Sequence, residues 1–81
     1  MLIRTDSSLY NIDQVKQIFL RHNNLAIEVC LTLKNDNETI YPIYQALSKD
    51  DAVSFLNNLQ NAYTLKYAIF DVRLHNAQQK I

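Results

Sequence analysis

The stretch Leu25-Ala26-Ile27-Glu28-Val29-Cys30-Leu31-Thr32-Leu33 decides the fold. Leu25, Ile27, Val29, Leu31 and Leu33 fall at every second position, with Ala26, Glu28, Cys30 and Thr32 between them. That is the period of a half-buried strand. A helix would spread these residues around most of its circumference, whereas a strand sets them in one row. Burying each contributes roughly 1.5–3 kcal/mol before conformational entropy is counted. The opposite row, Ala26, Glu28, Cys30, Thr32 and Lys34, is mixed. It is either open to solvent or covered by a second copy of the chain.

Working outward, Asn23-Asn24 reads as a two-residue loop to a preceding strand, in which Lys16, Ile18, Leu20 and His22 alternate with Gln17, Phe19 and Arg21. On the other side a turn through residues 35–38 leads into Thr39–Leu47. Pro42 has no N–H to give a ladder, so this segment is an edge strand or is broken at the proline. Leu2-Ile3 and Leu9-Tyr10, separated by Asp6-Ser7-Ser8, predict a small N-terminal hairpin.

Ser48-Lys49-Asp50-Asp51 is a helix start, with Ser48 as cap and Asp51 where a capping-box acid belongs. Ala52, Phe55, Leu56, Leu59 and Tyr63 form one apolar stripe; Asp50, Ser54, Asn57, Asn58 and Asn61 form the other face, which is short of Lys and Glu for a solvated surface. Residues 64–75 fit both periods. The β-branched Thr64, Ile69 and Val72 favour a helix ending near residues 63–66 and a final strand over about 67–74. The predicted fold is α+β: an antiparallel β-meander of four to five strands with one amphipathic helix packed on one face. It forms a single domain over residues 1–75, with a polar tail at 76–81. Its core is the alternating row and the helix stripe, with parts of Ile18, Leu20, Ile43, Phe70 and Val72.

Eight basic and eight acidic residues in 81 leave no net charge and no basic run, which disfavours nucleic acid as a partner. The chain has no glycine. This excludes dinucleotide fingerprints, P-loops and nucleophile elbows, whose backbones need a residue without a Cβ. Turns then fall to Asn and Asp, which tolerate positive φ. The single cysteine, Cys30, rules out an intrachain disulfide, and the N-terminal residues are too polar for a signal peptide. A cytoplasmic protein without a membrane segment is expected, with Cys30 a small hydrophobe.

No catalytic, cofactor-binding or metal-binding set is legible, so neither enzyme nor cofactor is expected. His22 and His75, the only histidines, have no ligand at metal spacing and read as exposed imidazoles. Asp50 and Asp51 are neighbours that point about 100° apart on a helix, and capping accounts for them. The candidate interface residues are Tyr41, Pro42 and Tyr44 on the predicted edge and Asn57, Asn58 and Asn61 on the helix, because tyrosine with its ring half-covered is enriched at interfaces. The expected partner is another protein or a second copy in a homodimer.

The run Leu9-Tyr10-Asn11-Ile12-Asp13-Gln14-Val15-Lys16-Gln17-Ile18, followed by strand hairpins and the Ser48–Ala52 helix start, resembles small bacterial and phage proteins with an antiparallel meander capped by one helix, some of them PH-like. The resemblance implies a bacterial or mobile-element origin. The expected function is then a non-enzymatic protein-binding or regulatory module; the alternative is a nucleic-acid-associated accessory protein of a phage or plasmid.

If the alternating row is core, truncating Val29→Ala or Leu31→Ala costs about 2–4 kcal/mol, a large part of the stability of a domain this small. Chemical denaturation reads this directly, and a variant as stable as its parent would remove the strand assignment.

Overall fold

The alternating stretch is the middle strand of a three-stranded antiparallel meander. The computed structural model describes residues 1–24 and 26–79, so Leu25, at the head of the row, lies outside the described residues, as do Lys80 and Ile81 of the expected tail. The elements are β1 (Leu2–Arg4), β2 (Leu9–Asn11), a 3-10 turn (Ile12–Gln14), β3 (Val15–Asn23), β4 (Ala26–Leu33), β5 (Asp36–Ala46), α1 (Lys49–Thr64), β6 (Ile69–Asp71) and α2 (Val72–Gln79). The chain adopts the expected α+β fold with a helix on one face of the meander. Its six strands are divided between two sheets, ordered β3-β4-β5 and β2-β1-β6.

Register explains the core. Val29 and Leu31 of β4 stand opposite Leu20 and Ile18 of β3, and both β4 residues are fully buried. The other row sets Phe19, Cys30 and Pro42 side by side across the three strands, with Arg21 Nη2 donating to Glu28 Oε1 beside them (3.0 Å). Cys30 is buried completely. Ile3, Phe55 and Val72, from β1, α1 and α2, all pack on the Val29 side.

The β3–β4 loop is residues 24–25, one position later than expected, because Asn23 pairs with Ala26. Asn24 has φ 55°, the left-handed conformation that asparagine tolerates and a tight hairpin uses. The next turn is also tighter than expected. Leu33 pairs with Asp36, so only Lys34 and Asn35 connect the strands. β5 is an edge strand, as Pro42 predicts. A bulge opposite Val29 and Cys30 inserts Ile43 between Tyr44 and Pro42, and Ile43 and Tyr44 are then both buried.

Ser48 caps α1 with extended backbone, its Oγ accepting from the Asp51 N–H at 3.1 Å. The inward face is Asp51, Ala52, Phe55, Leu59 and Ala62. Ala62, not Tyr63, takes the last inward place, because inward positions advance by three or four residues and Tyr63 falls on the flank. The helix stops in a Schellman motif: Tyr67 N–H donates to Ala62 O (3.0 Å) and Lys66 N–H to Tyr63 O (3.1 Å). Lys66 sits between them at φ 61°.

The C-terminal strand expected over residues 67–74 is corrected. Only Ile69–Asp71 is extended, pairing in parallel with β1, and the chain becomes helical at Val72. Asp71 causes the switch: its Oδ1 accepts the Arg73 N–H at 3.0 Å, capping the first turn of α2. Val72 and His75, three apart, then face inward together. β1, held between β2 and β6, is the centre of the small sheet, and its Ile3 is fully buried.

A lysine held in the left-handed region costs about 1–2 kcal/mol that glycine avoids, offset in part by glycine's greater freedom when unfolded. Lys66→Gly is therefore expected to stabilise the fold by about 0.5–1 kcal/mol, a rise of several degrees in melting temperature for a domain of this size. A lower melting temperature would show that Lys66 makes a contribution beyond its backbone.

Candidate functional site

Asp51 is buried at the start of α1, and three donors converge on its carboxylate. Tyr44 Oη donates to Oδ2 at 2.6 Å and the Leu47 backbone N–H to the same oxygen at 2.8 Å. His75 Nε2 lies 3.2 Å from Oδ1. On the far side of the imidazole, Asn58 Nδ2 is 3.1 Å from His75 Nδ1. An amide N–H must find an acceptor there, so Nδ1 is unprotonated and Nε2 carries the hydrogen that goes to Asp51; this tautomer follows from the assigned orientation of the Asn58 amide. Aromatic rings enclose the network. Tyr44 stacks on Phe55 with centroids 4.5 Å apart, and His75 meets both edge-on at 5.1 and 5.2 Å.

Two expectations fail here. His75 is 3% exposed, not a surface imidazole, because α2 rolls it under the body of the protein. Asp51 does not complete a capping box by turning back to Ser48. It accepts instead from Leu47, one residue earlier, which frees its other oxygen for the imidazole. Nothing in the local spacing distinguishes such an acid from an ordinary capping residue, since its partners lie 7 and 24 positions away.

An aspartate–histidine pair is a component of general-base sites, where a nucleophile's hydroxyl or thiol meets the outer imidazole nitrogen. Here that nitrogen faces Asn58. The network fastens α2 to the first turn of α1 and the end of β5. Among the described residues no group of three His, Cys, Asp or Glu is placed to hold a metal ion. Burial pushes the Cys30 thiol up, against the pull of Arg21, so the thiolate that reactivity requires is disfavoured.

Burial, together with its bond to Asp51, raises the Tyr44 hydroxyl far above the usual value near 10. The sign follows. A phenol whose folded pKa is raised contributes stability that is complete below the unfolded value and is lost as pH climbs above about 10. Tyr44→Phe, which removes a hydrogen bond to a charged group, is expected to cost about 1.5–3 kcal/mol at neutral pH and to flatten the alkaline loss. Denaturation at pH 7 and above pH 10 tests both; an unchanged alkaline slope would assign that loss to other groups.

Above the network lies a cleft of about 380 Å³. Asn58, Asn61 and Ala62 of α1 form one wall, β6 and Leu74 of α2 the other, and His75 lies at its inner end. Leu65, Tyr67, Ile69 and Leu74 surround it and are 54–65% exposed. Leu65 and Tyr67 owe their position to the Schellman stop, which turns the chain outward at Lys66. The sequence contains these residues as an apolar run that fits two periods, so their common exposure is decided by the fold.

The candidate interface residues do not form one surface. Asn58 and Asn61 line the cleft, whereas Asn57 is exposed outside it. Tyr41 is half-buried, its hydroxyl donating to Asp36 Oδ2 at 3.1 Å and its ring 5.8 Å from Tyr10. Pro42 is exposed at the bulge. Tyr44, 5% exposed, belongs to the core and presents no docking surface, because the bulge turns it inward with Ile43.

Among the described residues, no helix is long and apolar enough to cross a membrane. Searches of curated proteins and of solved structures find no match. The model of the poxvirus C7 protein family matches residues 1–81. This overturns the bacterial or mobile-element origin, and with it the phage or plasmid alternative; the residue pattern behind that expectation is one that a meander-plus-helix fold asks of a sequence from any lineage. The chain belongs to the poxvirus C7 protein family.

Proposed function

We propose that this chain acts by binding another protein in the cleft between α1, β6 and α2, catalysing no reaction and working in the reducing cytoplasm. The observation that carries this reading is the ring of Leu65, Tyr67, Ile69 and Leu74, four large apolar side chains more than half exposed around one concavity. Apolar patches rimmed by polar groups mark contact surfaces. Asn58 and Asn61 supply the polar component on the α1 wall. A chain without net charge lacks the basic field that phosphate backbones or anionic lipid surfaces would need. A lone, buried Cys30 suits a reducing compartment. This surface replaces the predicted tyrosine edge, whose Tyr44 is consumed by the core.

A photo-crosslinking residue at Tyr67, compared with one at the exposed His22, tests the assignment in infected cells. Tyr67 is expected to yield one discrete protein adduct. Leu65→Glu combined with Leu74→Glu should abolish that adduct while leaving the melting transition close to the parent's, as surface changes do. An adduct of twice the chain mass would make the partner a second copy. Equal crosslinking from His22, or an adduct that survives the double substitution, would overturn the proposal.

A further inference from the structure

A second concavity lies elsewhere, along β5. The sheet order β3-β4-β5 gives β5 a strand partner on one side only among the described residues. Six consecutive residues, Pro42–Leu47, border a cleft of about 620 Å³. Successive side chains of a strand point to opposite faces, so an unbroken run bordering one cleft means that the cleft follows the strand's edge. The facing wall is the β1–β2 turn, Thr5, Asp6 and Ser7, together with Val72 and Arg73 at the start of α2.

We infer that this edge accepts an extended peptide segment of another protein as an added strand. Three features select that occupant. Natural edges are blunted by lysine, proline or inward charge, and Pro42 does so at one end only; Ile43, Tyr44, Gln45, Ala46 and Leu47 carry neither proline nor charge. The charges bordering the slot, Asp6 and Arg73, are opposite in sign, and Arg73 is already held by Asp71 at 2.9 and 2.8 Å. This suits an uncharged backbone. The facing wall also selects against a second copy: in a two-fold pairing of β5 with β5, each copy's own turn and Arg73 would stand where the other's strand must lie. A single extended chain fits between edge and wall. Main-chain hydrogen bonds supply affinity in this mode of recognition, and alternate side chains supply selectivity. Leu47, 82% exposed at the mouth, offers an apolar anchor.

The probe is a peptide selected on the intact protein from a random library displayed on phage. Amide hydrogen exchange with and without the peptide should show slowing of roughly tenfold or more confined to residues 43–46. Ser7→Trp and Asp6→Trp, on the exposed facing turn, should each weaken binding roughly tenfold without lowering the melting temperature. Leu74→Glu, in the other cleft, should leave peptide binding unchanged; its failure to do so separates this inference from the proposed function. The inference is overturned if no peptide is selected, if protection falls on α1 and β6 instead, or if neither tryptophan weakens binding. It is also overturned if β5 is protected without peptide in a dimer seen by sedimentation.

Discussion

Asp51 carries the constraint on which the rest of the structure depends. A carboxylate removed from water is tolerated only when charge-assisted hydrogen bonds replace its hydration. Asp51 obtains them from three separate parts of the chain: the Tyr44 side chain on β5, the Leu47 backbone before α1, and His75 on α2. Each donor is useful only in one geometry, so satisfying the carboxylate sets how α1 leaves the sheet and where α2 comes to rest. Three donors on one acid specify an arrangement more sharply than the apolar contacts around them. The stack of Tyr44 on Phe55 and the edge-on His75 complete the same cluster.

A chain without glycine must make its reversals with residues that have a Cβ. Asn24 enters the left-handed region where asparagine's short side chain makes this inexpensive. Lys66 enters it with no such help. What holds Lys66 there is the pair of backbone bonds closing the end of α1 and the parallel docking of β6 on β1 just beyond. That strained stop projects Leu65 and Tyr67 outward and opens the cleft beside β6. A local backbone cost and an exposed apolar surface thus arise from the same turn.

Membership of the poxvirus C7 protein family changes the biological frame without altering the physical reading. The two concavities differ in chemistry. The one over His75 is rimmed by exposed apolar side chains and suits packing against a partner's surface. The one along β5 is defined by a strand edge and a polar turn, and suits main-chain pairing. The buried acid and imidazole between them serve the architecture that holds both open.

The sequence by itself determined the meander's central strand, the edge placement of the Pro42 segment, the N-terminal hairpin and the Ser48-capped helix. Each rests on short-range rules: alternation within one strand, the missing N–H of proline, a hydroxyl reaching a backbone amide three residues on. The tertiary structure alone decided that Asp51 is a buried hub, that His75 lies inside, and that Tyr44 turns inward at a bulge. Their partners are brought together by folding, not by proximity in sequence, and a cap, a surface histidine and an edge tyrosine are locally indistinguishable from what these residues became. The end of the chain shows the same division. Asp71 is a legible cap, but residues 64–75 fit two periods equally, and pairing with the distant β1 selected strand up to Asp71 and helix from Val72. The candidate site was the least legible part, because a cleft is a property of surfaces that meet only after the core has formed.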